Sequence, residues 1–357
     1  MNDIALAPAP SKIVSVGTAT PPTAYSQEEM LELLGIDDKR IRRLYTSGSI
    51  KRRFLTLPAQ EVSGLYRAET QSELLKKHRE HGVEVGSRAL RTCIESVGFE
   101  LADIRYLCCI TTTGWLTPGL SALLCNSLGL SRDCARIDIV GMGCNAGLNG
   151  LNAVASWAKS NPGKLAVMLC VEICSAAYIT SNDIQTAVVN SLFADGAAAA
   201  AVVAGSDSDR VGPTILKFES LIIPNSEDAM RFEWDEAHGK FSFVLGRDVP
   251  YLIGSHAEAV VTRLLEGTGV RRSRIDHWII HSGGKKVIDS LRVNLGLTKE
   301  DVRHTMSVLR DFGNLSSGSF LFSYDRLLQE GRVAPGDLGV CMTMGPGATI
   351  EAALIRW

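Results

Sequence analysis

The chain repeats itself, and that repetition limits its fold more than any other feature. One stretch runs DIRYLCCITTTG, then SLGL, then IVGMGCNAGLNGLNAVASWA, then GKLAVMLCVE, over residues 103–172. A second runs RIDHWIIHSGG, then NLGL, then LRDFGNLSSGSFLFSYDRLL, then GDLGVCMTMG, over residues 274–345. Each reads strand, helix, Gly-rich turn, helix, strand. Laid over one another, Gly143-Cys144 coincides with Gly313-Asn314. A chain built this way folds as two related units that bury their apolar faces together.

The rest of the sequence agrees with an α/β protein. IVSVGTA, RYLCCITTT, ARIDIV, LAVMLCV and AAAAAVVA are strand-like apolar runs in the first half. TILKFESLII, DHWIIH and LGVCMTM follow in the second, where SGSFLF reads as a helix start. EVGSRALRTCIESVG and AEAVVTRLLEGTG carry apolar residues at helical spacing. Alternating strands and helices imply sheets covered on both faces. The polar, turn-rich AGSDSDRVGPT at 204–214 marks the seam, dividing the chain into residues 1–208 and 209–357. KKHREH, Lys76 to His81, reads as an exposed helix face.

Composition removes several functional classes. With 37 Lys and Arg against 39 Asp and Glu, the net charge of -2 gives no general affinity for nucleic acid. The longest apolar run, Ala197 to Ala204, is far short of the roughly 18 residues of a membrane span. The N-terminus has no basic start followed by an apolar stretch, so a cytoplasmic location is expected. The nine cysteines include no C-x-x-C pair, which argues against a structural zinc site or a disulfide framework. Most sit in apolar runs and read as small buried hydrophobes.

Cys144 is different. It follows the strand-like ARIDIV and the turn GMG, and precedes a helix whose Leu148, Leu151, Val154, Ala155 and Ala158 share one face. Glycines allow a tight turn that presents the side chain, and a helix N-terminus favours a thiolate. The same GMG, with Gly147, loosely matches a dinucleotide-binding loop, but its spacing and its place deep in the chain fit that poorly. His281 ends the strand DHWII before a Gly-rich turn, and Asn314 sits where another turn meets a helix. A thiolate holds an acyl group as a thioester. A nearby His stabilises that thiolate. His and Asn N–H groups both donate to a developing oxyanion. The set suits decarboxylation of a malonyl thioester and carbon–carbon bond formation.

GCNAG around Cys144, LFADGAAA, FVLGRDVP, HSGGKK, GNLSSG and MGPGATIE occur in that order. Through them the chain resembles the type III polyketide synthases, chalcone synthase-like members of the thiolase superfamily. The resemblance implies a duplicated five-layer αβαβα thiolase fold, a homodimer, and no cofactor beyond malonyl-CoA as substrate. It implies Cys144 as acyl carrier, with His281 and Asn314 polarising the thioester and stabilising the enolate. It makes Phe193 and Phe243 gating residues, and places Thr113, Gly345, Pro346 and Gly347 at the substrate. Lys51 and Arg52, in SIKRRF with Arg53, are expected at the CoA phosphates. The chain departs from the plant pattern at Ser282, Met344, Thr117 and Ala177, which speaks against a large aromatic starter.

DIVGMGCNAGLN, TAVVNSLF and HWIIHSGGKKVIDS are most similar to the bacterial branch that makes 3,5-dihydroxyphenylacetyl-CoA for glycopeptide antibiotics. That branch uses malonyl-CoA as starter and extender and joins four units, with enoyl-CoA hydratase-like helper enzymes finishing the aromatic ring. Two alternatives stay open at this stage. One is a condensing enzyme with another acyl starter, including a ketoacyl synthase III-like enzyme that needs an acyl carrier protein. The other is a non-catalytic thiolase-fold partner.

Overall fold

The computed structural model describes residues 10–179, 183–205 and 211–357. The first half contains β1 (Ser11–Ala19), β2 (Ala24–Ser26), α1 (Gln27–Leu33), α2 (Lys39–Thr46), β3 (Arg52–Phe54), α3 (Gln71–Glu95), β4 (Ile104–Thr111) and α4 (Leu120–Leu128). It continues with β5 (Ala135–Val140), α5 (Ala146–Ser160), β6 (Leu165–Glu172), α6 (Ile184–Leu192) and β7 (Gly196–Ala204). The second half contains β8 (Thr214–Ile222), β9 (Met230–Asp235), β10 (Lys240–Leu245), α7 (Val249–Leu265) and β11 (His277–Ile280). It ends with α8 (Lys285–Leu295), α9 (Arg303–Phe312), α10 (Ser319–Glu330), β12 (Leu338–Gly345) and β13 (Thr349–Arg356).

Strand order shows the repeat directly. The first half runs β1-β7-β6-β4-β5 and the second runs β8-β13-β12-β11. In both, the first strand pairs antiparallel with the last, and the penultimate strand pairs parallel with the strand that opens the repeat. The two sheets meet at Lys12 opposite Thr214, an antiparallel contact of β1 with β8. The SLGL and NLGL motifs do the same work in each half. Gly129 and Gly296 end α4 and α8 in the left-handed conformation, at φ 63° and 66°, where a Cβ would be strained.

The halves differ at one element. Where the first half has β5, the second has α9. The buried residues Thr305, Val308 and Leu309 of α9 fall at helical spacing, so this segment buries one stripe against its neighbours.

The apolar runs are long because both faces of each sheet are covered. On β6, Leu165, Val167, Leu169 and Val171 pack outward beneath α3 and α4, while Ala166, Met168 and Cys170 pack inward. On β7, Ala197, Ala199, Ala201 and Val203 face out and Ala198, Ala200, Val202 and Ala204 face in. The inward side meets α5, through Leu148, Leu151, Val154, Ala155 and Ala158, and α10, through Phe320, Leu321, Tyr324 and Leu327. These two helices also touch strands of both halves. On the far side α7 and α8 cover Val340, Met342, Ile350 and Leu354. The layers are thus helix, sheet, helix, sheet, helix. The two central helices begin at the turns that carry Cys144 and Asn314.

One surface expectation is corrected. Lys76, Arg79 and Glu80 of KKHREH are exposed, but Lys77 and His78 point into the protein, at 7% and 0% exposure. Lys77 pairs there with Glu69. The turn of helix α3 that faces the loop after β4 is therefore polar and buried at once.

Candidate active site

Cys144 lies in a short 3-10 turn, Gly143–Asn145, between β5 and α5. Gly143 has φ 77°, and a Cβ there would overlap the ring of Pro346. Gly345 closes on the same turn, since its Cβ would overlap the Asn145 side chain. The turn after β12 and the nucleophile turn therefore pack backbone to backbone, and only glycine fits at either contact. Pro346 also fills the approach to Gly143, where a dinucleotide phosphate would have to lie.

His281 follows β11 and is anchored by its N–H to the Met342 carbonyl at 2.9 Å. Asn314 is clamped to the strand-like segment after α6. Its N–H donates to Leu192 and its carbonyl accepts from Ala194, both at 2.9 Å. Gly283 joins the two side chains. A Cβ at Gly283 would press on the His281 ring, and the Gly283 carbonyl accepts from Asn314 Nδ2 at 3.4 Å. Ser316 joins Asn314 to the thiol. Its N–H donates to Asn314 Oδ1 at 2.8 Å, and its hydroxyl accepts from Cys144 Sγ at 3.6 Å. Cys144, His281 and Asn314 are 8%, 2% and 2% exposed, so all three are desolvated.

A buried carboxylate stands behind them. Glu172, at the end of β6, accepts from Ser316 Oγ at 3.1 Å, Ser317 Oγ at 2.5 Å and the Thr112 N–H at 2.9 Å. Burial raises its pKa, and those three donors oppose the rise. Burial pushes the Cys144 thiol up to about 12, with Ser316 opposing and the nearby Glu172 charge adding to it. Burial also pushes His281 down to about 3. Desolvation thus outweighs the helix end expected to favour the thiolate, and each group alone prefers its neutral form.

The thiol opens into a cavity lined by Thr112, Thr113, Ala177, Val189, Phe193 and Phe243, with Cys174, Tyr178, Phe232 and Pro346 completing the wall. Phe193 and Phe243 meet edge to face, with ring centroids 5.6 Å apart. Phe232 lies opposite Phe243 in the β9–β10 hairpin, 5.1 Å away, and Trp115 packs on Phe232 and Phe241 from outside.

Residues 3–208 match the N-terminal domain of chalcone and stilbene synthases, and residues 216–357 match their C-terminal domain. This chain belongs to the chalcone and stilbene synthase family. Among curated relatives, the 3,5-dihydroxyphenylacetyl-CoA synthase of Streptomyces toyocaensis is 58% identical over 97% of this chain and 90% of its own. The protein of the same name from Amycolatopsis balhimycina is 57% identical over 97% and 93%. Among solved structures, a brown-algal polyketide synthase from Ectocarpus siliculosus superposes with a TM-score of 0.90 at 25% identity, covering 99% of both chains. The type III polyketide synthase 1,3,6,8-tetrahydroxynaphthalene synthase of Streptomyces coelicolor gives 0.87 at 25% identity, covering 97% of this chain and 99% of its own. The chain thus has the thiolase-like fold of the type III polyketide synthases and is an acyltransferase of the carbon–carbon condensing type.

Within this family member the sequence-derived residues fall into two groups. Cys144, Phe193, Phe243, Thr113 and Pro346 line one cavity, Asn314 is joined to the thiol through Ser316, and the His281 ring lies against Gly283, whose carbonyl Asn314 Nδ2 meets. Gly345 and Gly347 shape the turn beside it, Gly347 at φ 75°. Ala177 lines the cavity, whereas Met344 is packed in the core beneath α7 and α8. Lys51 and Arg52 are exposed and line none of this cavity; Arg52 lies over the Phe54 ring. Arg53, grouped with them by sequence, is a structural residue. It is fully buried and donates to Gln27 Oε1, the Tyr178 hydroxyl and the carbonyls of Asn190 and Phe193. Glu172, Ser316, Cys174 and Phe232 escaped the sequence reading. Ser316 lies within the quoted GNLSSG and Glu172 closes the strand-like LAVMLCVE, but no spacing in either half links a carboxylate to a thiol.

Proposed function

We propose that this chain makes 3,5-dihydroxyphenylacetyl-CoA from malonyl-CoA alone. The supporting observation is the 56–58% identity over 97% of the chain to three proteins of that activity. Cys144 attacks the malonyl thioester carbonyl and CoA leaves as its thiol. His281 takes the thiol proton, so the thiolate and imidazolium form together and offset one another's desolvation. When a further malonyl group loses carbon dioxide, the electron pair passes to an enolate oxygen. His281 and Asn314 hold that oxygen with N–H donors. The enolate carbon then attacks the Cys144 thioester and expels the thiolate.

Repetition lengthens the chain, and the Phe193, Phe232 and Phe243 wall confines it for ring closure. The reaction draws its carbanion from the malonyl carboxylate, so it needs no redox cofactor. Lys51 and Arg52 remain the basic candidates for the CoA phosphates. A homodimer and hydratase-like helpers that complete aromatisation belong to the same reading.

The test is incubation of the purified protein with malonyl-CoA, followed by mass spectrometry. A dihydroxyphenylacetyl thioester or acid is expected, with no acyl adduct on Cys144→Ala. Turnover only after another acyl-CoA starter, or only with an acyl carrier protein, overturns the substrate assignment and keeps the nucleophile. Full activity of Cys144→Ala overturns the mechanism.

A further inference from the structure

Thr113 is the polar wall residue whose hydrogen bonds are most fully determined, and the residue that determines them is not in the cavity. The Thr113 hydroxyl accepts from the Ile173 N–H at 2.9 Å. His78 Nδ1 lies 3.2 Å from the same oxygen. Among the described residues the one further group in reach is Thr111 Oγ1, at the outer limit of 3.5 Å. His78 comes from α3, on the outer side of the first sheet, and is wholly buried. Gly114 closes over its ring, since a Cβ there would overlap the imidazole. Burial also lowers the His78 pKa to about 4, so the ring is neutral near pH 7.

A neutral imidazole carries one proton on either nitrogen. Nε2 of His78 meets no polar atom among the described residues. A proton on Nε2 would leave a buried N–H without a partner, whereas a proton on Nδ1 is donated to Thr113. Orphaned buried donors are the rarer and costlier case. With Nδ1–H and the Ile173 N–H both donating, the two lone pairs of the Thr113 oxygen are used. Its one hydrogen is left for the cavity.

We propose that His78 is a positioning residue that sets Thr113 as a hydrogen-bond donor to a ketone oxygen of the growing acyl chain. This rests on the reading that the cavity holds a poly-β-ketone. A donor at that point polarises one ketone and acidifies the methylene beside it. It thereby favours one ring closure over release as an open chain or lactone.

Two measurements test this. The first needs no turnover. In protein labelled with 15N-histidine, long-range proton–nitrogen spectra give the tautomer of each ring, and loss of one signal in His78→Asn assigns it. A neutral ring protonated on Nδ1 between pH 5.5 and 8 is expected. A proton on Nε2, or a charged ring, overturns the proposal. The second is product partition. His78→Leu removes the donor, and the ratio of ring-closed to open or lactonised product should fall about tenfold, the worth of one hydrogen bond to developing charge. His78→Asn, which keeps a donor, should restore most of it, with acyl loading on Cys144 as the control. An unchanged ratio in His78→Leu, or equal loss in both variants at unchanged melting temperature, overturns the proposal. If His78→Leu does not fold, Thr113→Val against Thr113→Ser makes the same comparison. If the unaltered protein makes no aromatic product from malonyl-CoA, the substrate assignment fails, and the tautomer still decides the role of His78.

Discussion

At the scale of single residues, the site is a contest between burial and pairing. Burial disfavours the charged forms of Cys144 and His281 alike, so the proposed activation depends on forming both charges together. Replacing His281 with Ala removes the proposed proton acceptor, while burial still pushes the thiol up. At any fixed pH the thiolate fraction then falls, and the pH profile of Cys144 alkylation by iodoacetamide should move to higher pH. A profile that stays in place would remove His281 from thiol activation. Asn314 is held by Leu192, Ala194 and Ser316, and its Nδ2 makes only a long contact, 3.4 Å, to the Gly283 carbonyl. Asn314→Ala should lower the condensation rate by roughly 10²–10³, the cost of one oxyanion donor. Cys144 acylation measured by mass should change far less.

At the scale of elements, the nucleophile turn is held by a second turn from the other half. Gly143, at φ 77° and against Pro346, has no space for a side chain. Gly143→Ala therefore combines backbone strain with overlap, about 1–3 kcal/mol, and displaces Cys144. Denaturant unfolding should show the loss of stability, and acyl loading should drop with it. Loading at the parental rate would mean that the turn tolerates movement. The repeat was legible at this scale because strand and helix periods survive in the sequence. The helix α9, which stands where the first half has β5, was not singled out in the sequence, because its buried stripe is short and its charged residues interrupt the apolar run.

At the scale of the whole molecule, β5 ends the nine-stranded sheet and shows Ile137 at 39%, Val140 at 39% and Met142, just beyond it, at 38% exposure. An apolar sheet edge invites another strand. In the proposed homodimer this edge meets its copy, and Ile137→Lys should convert a dimer to a monomer in light scattering after gel filtration. A monomeric unaltered protein, or a dimer that survives the substitution, would place the interface elsewhere.

By itself the sequence determined the duplication and the α/β class, and it singled out Cys144, His281 and Asn314 as the candidates that the proposed mechanism uses. Each is written in local order: apolar period, turn glycines, and a reactive side chain at a fixed offset from them. Tertiary structure alone decided the rest. Whether Lys77, His78 and Arg53 face water or the core depends on which segments cover them, and a charged residue reads as exposed until that cover is known. The Glu172–Ser316–Cys144 connection joins residues as much as 172 positions apart. Such contacts arise where two half-sheets close on shared central helices, and no one-dimensional spacing encodes that closure.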